Sequence, residues 1–421
     1  MKKTLIILFT LVIFAAIFVG AWWFLMQDQS TPTTTETGEP VERRFNPFGM
    51  FFDDSTDTTG STTVDDTSGF LDVPVAVPKQ ALVRITDGPV AGVTTLSVTT
   101  GTSTKHFVRY VERETGHIYD VSLETLHETR VSNTTIPRVR EALFGNNGTS
   151  VALKRIQDDG ETVETYFGSI ADAEGTVSES RLSGMFLPHN ILSIALHPTE
   201  HRAFYILKTE NGGTGYVVSR TGTQNVFSHP FYQWRPSWNG NSVLLTTAPS
   251  RSVGGIMFSL NTSSGLLQRL SDETMPALTA LPGPDTVLLG SVSQQGLGIF
   301  TYDTGTAKLT ALSVGTLPEK CVWGDATTLY CALPSNASQN LPDAWYQGSV
   351  SFADTFWKTD TETTVTTYLL DPSTVVESGV DAINLSFSQD GEHLTFINKK
   401  DGSLWLADLS QLSVPETENA Y

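Results

Sequence analysis

The chain has 421 residues, with 26 Lys and Arg against 45 Asp and Glu, a net charge of -19. That balance excludes a nucleic-acid partner, because neutralising phosphates needs clustered Lys and Arg and no such cluster occurs. The only cysteines are Cys321 and Cys331, which an exported compartment would allow to pair.

The first element is Thr4 to Met26, 23 residues without a charge, preceded by Lys2 and Lys3. An apolar run of about 20 residues spans the hydrocarbon layer as one helix, and the lysines favour a cytoplasmic N-terminus. Residues 1–26 thus read as a transmembrane signal anchor of a single-pass cell membrane protein, with everything beyond them extracytoplasmic. The small residues Val19-Gly20-Ala21 would also suit a cleaved signal peptide. The run continues through Trp22, Trp23, Phe24 and Leu25, however, and so exceeds a usual h-region. No cysteine lies nearby to carry a lipoprotein anchor.

Residues 27–79 are rich in Ser, Thr and acidic residues, with Arg43, Arg44 and Lys79 as the basic ones. Such a segment buries too little apolar surface to offset its ordering entropy and reads as a disordered linker, with an end-to-end distance of roughly 40 Å as a flexible coil. An apolar island, Phe45-Asn46-Pro47-Phe48-Gly49-Met50-Phe51-Phe52, interrupts it. It suits a short docking motif or a segment packed on the domain.

From residue 80 to 410 the pattern is all-β, with short alternating apolar strands separated by turn residues and no stretch of helical period. The strands recur in a unit of about 40 residues. NLSFSQDGEHLTFINKKDGSLWLADLS, from Asn384 onward, is the clearest copy, with Ser388-Gln389-Asp390-Gly391 as the tight turn between its first two strands. Further copies begin near Arg140, Leu192, Gln233, Ala277 and Glu319, and Val90 to Asn133 supplies another, which makes seven. The last copy lacks a fourth strand. Ala81 to Gly88 reads as a fourth strand with no blade of its own, so pairing the two closes a ring and removes exposed edges. Residues 411–421 read as an acidic disordered tail.

The S-x-D-G turn between two apolar strands, repeated at this period, resembles the WD40-like propeller repeats of the periplasmic TolB type. The resemblance implies a β-propeller and says little of function, since propellers host enzymes, lectins and scaffolds alike. The anchor, the Thr-rich linker and the segments LPEKCVW and LPDAWYQGSVSFAD are also similar to single-anchor membrane propeller proteins of small-genome bacteria, for which no activity can be carried over.

In a propeller, the connections between blades and the loops joining second to third strands emerge on one face. Two aromatic segments map there: Phe231, Tyr232, Trp234 and Arg235 at the entry to blade four, and Asp343, Trp345, Tyr346 and Gln347 in the long loop of blade six. Rigid rings beside an Arg and a carboxylate suit recognition of a protein or stacking against a sugar; equally, they suit a plug folded over the mouth. His197-Pro198-Thr199-Glu200-His201 has metal-like spacing but falls on a strand-to-strand turn, and no metal or cofactor is expected. His189 and His229 are isolated. No G-x-S-x-G, H-E-x-x-H or phosphate-cradling Gly loop occurs, so a hydrolase or lyase ranks third. Cys321 and Cys331 should lie opposite one another across a hairpin, within disulfide range. The leading expectation is a binding or scaffold module for an envelope protein, with carbohydrate binding on the same face as the alternative.

Overall fold

The computed structural model describes residues 80–170, 182–271, 274–294, 296–335 and 341–412. The anchor at Thr4–Met26, the linker with its Phe45–Phe52 island and positions 413–421 of the tail lie outside the described residues. Among the described residues no helix is long and apolar enough to cross a membrane.

Seven four-stranded antiparallel sheets follow one another along the chain. The first strand of each is innermost: Val90–Thr100, Val139–Gly145, Ser193–Leu196, Trp234–Asn239, Thr279–Pro282, Cys321–Trp323 and Ala382–Phe387. Neighbouring first strands meet in order, with blade five reaching blade six through the Pro318–Lys320 turn, and the seventh returns to the first, which makes a seven-bladed propeller. Closure follows the expected route. Leu82–Arg84 pairs antiparallel with the last strand of blade seven, Leu82 against Ala407, Val83 against Leu406 and Arg84 against Trp405. Flanking bonds from Ile85 N to Leu404 O (2.8 Å) and from Asp408 N to Ala81 O (3.0 Å) extend the ladder.

Because each blade is covered on both faces, its middle strands are apolar on both sides and are not alternating. His393–Asn398 is buried at every position. Leu394 and Phe396 face Tyr330 and Phe356 of blade six, whereas Ile397 joins Val108 and Tyr110 of blade one. Each such side chain contributes roughly 1.5–3 kcal/mol on burial. The cores therefore sit between blades, and the ring is held by neighbour-to-neighbour packing.

The S-x-D-G turn shows why that signature recurs. Ser388 Oγ takes the amide of His393 (3.0 Å), Asp390 takes the amide of Glu392 (2.9 Å) and faces His393 Nδ1 (3.0 Å), and Gly391 sits at φ 78°. Only glycine adopts that φ without strain. In blade two Asn146, Asn147 and Gly148 make the equivalent turn at φ 49°, 54° and 83°, since Asn tolerates the left-handed region better than other side chains.

Cys321 and Cys331 face one another in register, 4.1 Å apart at Cα, and are joined by a disulfide. Three details differ from the sequence reading. Residues Asp343–Tyr346 form a one-turn helix inside the blade-six loop, Gly254–Gly255 and Met275–Pro276 pair as a small extra sheet, and Leu412, assigned to the tail, packs against the core shared by blades six and seven.

Candidate functional site

Over blades five to seven, the described part of the long loop, 341–353, folds back onto the propeller. Leu341, Trp345 and Phe352 are buried against Leu317, with Leu297, Val350 and Ile383 packed around them. Asp343, the first residue of the short helix, accepts the amide of Arg251 (3.0 Å), and Arg251 Nη1 donates to Leu341 O (3.2 Å). The loop is thereby tied to blade four. On the blade-seven side Lys399 Nζ donates to Trp345 O (2.7 Å) and lies 3.8 Å from the centre of its ring.

Beneath the indole lies a buried ionic cluster. Lys320 is 0% exposed and donates to Asp381 Oδ1 (2.7 Å) and Ala382 O (2.8 Å), with Asp354 Oδ2 also at 2.7 Å. Trp345 Nε1 and the amide of Phe352 both donate to Asp381 Oδ2, at 2.9 and 3.0 Å, and the Trp345 and Phe352 rings stack 5.7 Å apart. Asp354 Oδ2 also takes the amide of Ala382 (2.6 Å), but its Oδ1 is buried with no partner among the described residues. Two carboxylates thus share one ammonium. Burial pushes the Asp354 carboxyl up to about 6, against the lowering pull of Lys320. Burial pushes Lys399 down.

At the border of this plug, Tyr346 Oη donates to Glu319 Oε1 (2.6 Å), and Arg235 Nη1 donates to the same oxygen (3.2 Å) while its guanidinium lies 4.6 Å from the tyrosine ring centre. Burial, and then Glu319, raise the Tyr346 hydroxyl well above the usual tyrosine range. Arg235 remains 44% exposed at its side chain and faces the other half of the same surface.

That half, over blades two to four, is open. A cleft of about 570 Å³ lies there, lined by Leu143 of blade two, Leu192 and Ile194 of blade three, and Tyr232, Trp234 and Arg235 of blade four. Glu141 and Lys154 also line it, 3.4 Å apart. Trp234 is only 4% exposed; its Nε1 donates to Phe231 O (2.9 Å) and its ring meets Phe231 edge-on at 5.0 Å. Tyr232 is partly exposed, with Lys208 Nζ 4.8 Å from the centre of its ring.

The eight residues singled out by sequence therefore divide. Trp234 and Trp345, 4% and 5% exposed, are packing residues in this structure, because each indole finds an internal acceptor and apolar neighbours. Arg235 and Gln347 are exposed, and Phe231, Tyr232, Asp343 and Tyr346 are partly so. Lys320, Asp354, Asp381, Glu319, Glu141, Lys154 and Leu192 escaped sequence reasoning. The first three lie far apart in the chain, and a buried Lys carries no local signature. Lys154 alone had one, as an ion breaking the apolar run Val151-Ala152-Leu153.

The two histidines of the pair make separate contacts. His197 Nδ1 accepts the amides of Thr199 (3.3 Å) and Glu200 (3.1 Å), burial lowers its pKa, and its ring packs edge-on to Trp238 at 4.7 Å. His201 instead meets Ser150 Oγ (2.6 Å) and stacks on Phe167. His189 reaches Glu164, and His229 Nδ1 accepts the amide of Phe231. Among the described residues no group of three or more His, Cys, Asp or Glu is arranged to hold a metal ion.

No family model matches the chain, and no curated protein does. Solved structures do. An oligogalacturonate lyase from Vibrio parahaemolyticus shares 10% identity at a TM-score of 0.51, covering 79% of this chain and 95% of that one. The propeller domain of the trilobed protease from Pyrococcus furiosus, described as having an open velcro topology, scores 0.46 at 11% identity over 79% and 99% of the two chains. TolB from Acinetobacter baumannii scores 0.40 at 14% identity over 75% and 79%. At such identities a likeness conveys architecture alone, and the architecture is the one that the strand pairing shows directly: a seven-bladed β-propeller whose N-terminal strand completes its last blade.

Proposed function

We propose that this protein is a membrane-anchored, extracytoplasmic propeller that binds a protein of the cell envelope through the open half of its upper face. The location rests on the Thr4–Met26 run and the lysines before it. The binding role rests on one observation: the cleft over blades two to four joins an apolar wall, Leu143, Leu192 and Ile194, to both signs of charge and to partly exposed Tyr232 and exposed Gln233. An apolar floor with a few polar groups converging on it is the usual make-up of a recognition site. A second reading, carbohydrate binding, is favoured by the Tyr232 ring at the rim, which would serve as a stacking platform.

Photo-cross-linking in intact cells tests this. A benzophenone amino acid at Gln233 should give a discrete protein adduct that the same group at Leu309, 45% exposed on the outer strand of blade five, does not give. Identical patterns from both positions, or none from Gln233, would reject a protein partner at the cleft. A glycan array probed with the same full-length chain would then decide the second reading.

A further inference from the structure

We propose that the cleft over blades two to four is a site for an acidic peptide segment, in which a carboxylate of the partner is taken by Arg235 and a neighbouring apolar side chain packs on Leu143, Leu192 and Ile194. This rests on the binding role above and adds the chemistry of what is bound.

The guanidinium of Arg235 is held before any ligand arrives. Its Cζ lies over the Tyr346 ring, 4.6 Å from the centroid, and its Nη1 donates to Glu319 at 3.2 Å. Among the described residues its Nε and Nη2 donate to nothing. Those two atoms form the edge by which an arginine grips a carboxylate with two parallel bonds. Elsewhere in this protein Arg109 uses the same edge, Nε and Nη2 each 2.7 Å from Asp120. A fork already fixed by stacking loses little side-chain entropy on binding.

The surroundings carry the same sign. Lys154, which also lines the cleft, has Glu141 at 3.4 Å as its hydrogen-bond partner, and Lys208 stands over the Tyr232 ring at the rim. Glu141 is the carboxylate lining the cleft, and it faces Lys154; Glu319 is committed to Tyr346 and Arg235. In a chain of net charge -19, this hollow is a place where three cations, Arg235, Lys154 and Lys208, outnumber two carboxylates, Glu141 and Glu319. An acidic segment is drawn there and repelled by most of the remaining surface, which supplies selectivity as well as attraction. A basic segment would meet Glu141 only by displacing Lys154.

The experiment is selection of a random dodecapeptide library, displayed on phage, against the full-length chain in detergent. Selected peptides should pair Asp or Glu with an adjacent apolar residue. Their synthetic copies should lose about tenfold or more in affinity when the acid becomes its amide, and by a similar factor against Arg235→Gln, as for a lost charge-assisted hydrogen bond. Leu192→Glu, a change at a residue 39% exposed that lines the same cleft as Arg235, should cost about as much, and binding should weaken as salt is raised. Both variants should melt with the parent protein, so a loss of binding is not a loss of fold. An empty selection, selected peptides without an acidic preference, or affinities indifferent to Arg235→Gln would each overturn the acidic-peptide assignment. The cross-linking result at Gln233 reports separately whether the cleft binds a protein at all, so the two ideas fail independently.

Discussion

The two halves of the upper face are built from the same repeat and are finished in opposite ways. Over blades five to seven a long second-to-third-strand loop lays Trp345 and Phe352 onto a buried Lys320–Asp354–Asp381 cluster. Over blades two to four the corresponding loops are short, and the strand ends leave a cleft of about 570 Å³. The difference teaches that in a propeller the loops are dispensable to the core, because the blades bury their apolar faces against each other. A loop becomes structural when it brings both apolar bulk and donors for a buried charge, as Trp345 does. Arg235 stands on the border and belongs to both halves: its Tyr346 and Glu319 contacts lie on the plug side, and it also lines the cleft.

The comparison can be broken most forcefully at Lys320. Lys320→Met should destabilise the protein by about 5 kcal/mol, because removing one member of a buried cluster leaves Asp354 and Asp381 facing each other uncompensated. Urea unfolding should show it, and adding Asp354→Asn and Asp381→Asn should restore much of the loss. A Lys320→Met protein as stable as the parent would mean that the cluster is not holding this half together. Next in size, Trp345→Ala should cost about 4 kcal/mol through the cavity it leaves and the donor it withdraws from Asp381, while peptide affinity at the cleft stays within twofold. Lost affinity at unchanged stability would instead make Trp345 a recognition residue.

The smallest expected effect is one of pH. Asp354 has a carboxyl raised from 3.8 to about 6, facing Lys320 and Asp381. An acid raised on folding holds its proton more tightly in the native state. Its contribution to stability is therefore complete below about pH 4 and is lost as pH rises through about 6, a swing on the order of 2–3 kcal/mol. The amide of Asp354→Asn does not titrate, so the melting temperature of the variant should gain on that of the parent between about pH 4 and about pH 6 and run parallel to it above about pH 7. Melting temperatures that stay parallel between about pH 4 and about pH 6 would mean that Asp354 takes up no proton on folding.

How far the sequence reaches can be judged at particular residues. Ser388-Gln389-Asp390-Gly391 is legible because a turn is a local object, and its hydrogen bonds lie within five residues of one another. Leu82–Arg84 as the missing fourth strand is legible because an incomplete last repeat and a surplus first strand imply each other. The facing of Cys321 and Cys331 follows from counting outward from one turn. All three rest on periodicity, and periodicity is a property of the chain.

What only the tertiary structure decided is which way the side chains of the upper face turn. Trp234 and Trp345 fall at surface connections by sequence, yet both indoles are buried: Trp234 finds a local acceptor in Phe231 O but apolar neighbours from other strands, and Trp345 finds its acceptor 36 residues away in Asp381. Lys320 meets Asp381 across 61 residues, and Arg235 meets Glu319 across 84. Whether a charge lies in water or in a dry cluster depends on groups that the fold alone brings within 3 Å, and no spacing along the chain encodes that distance.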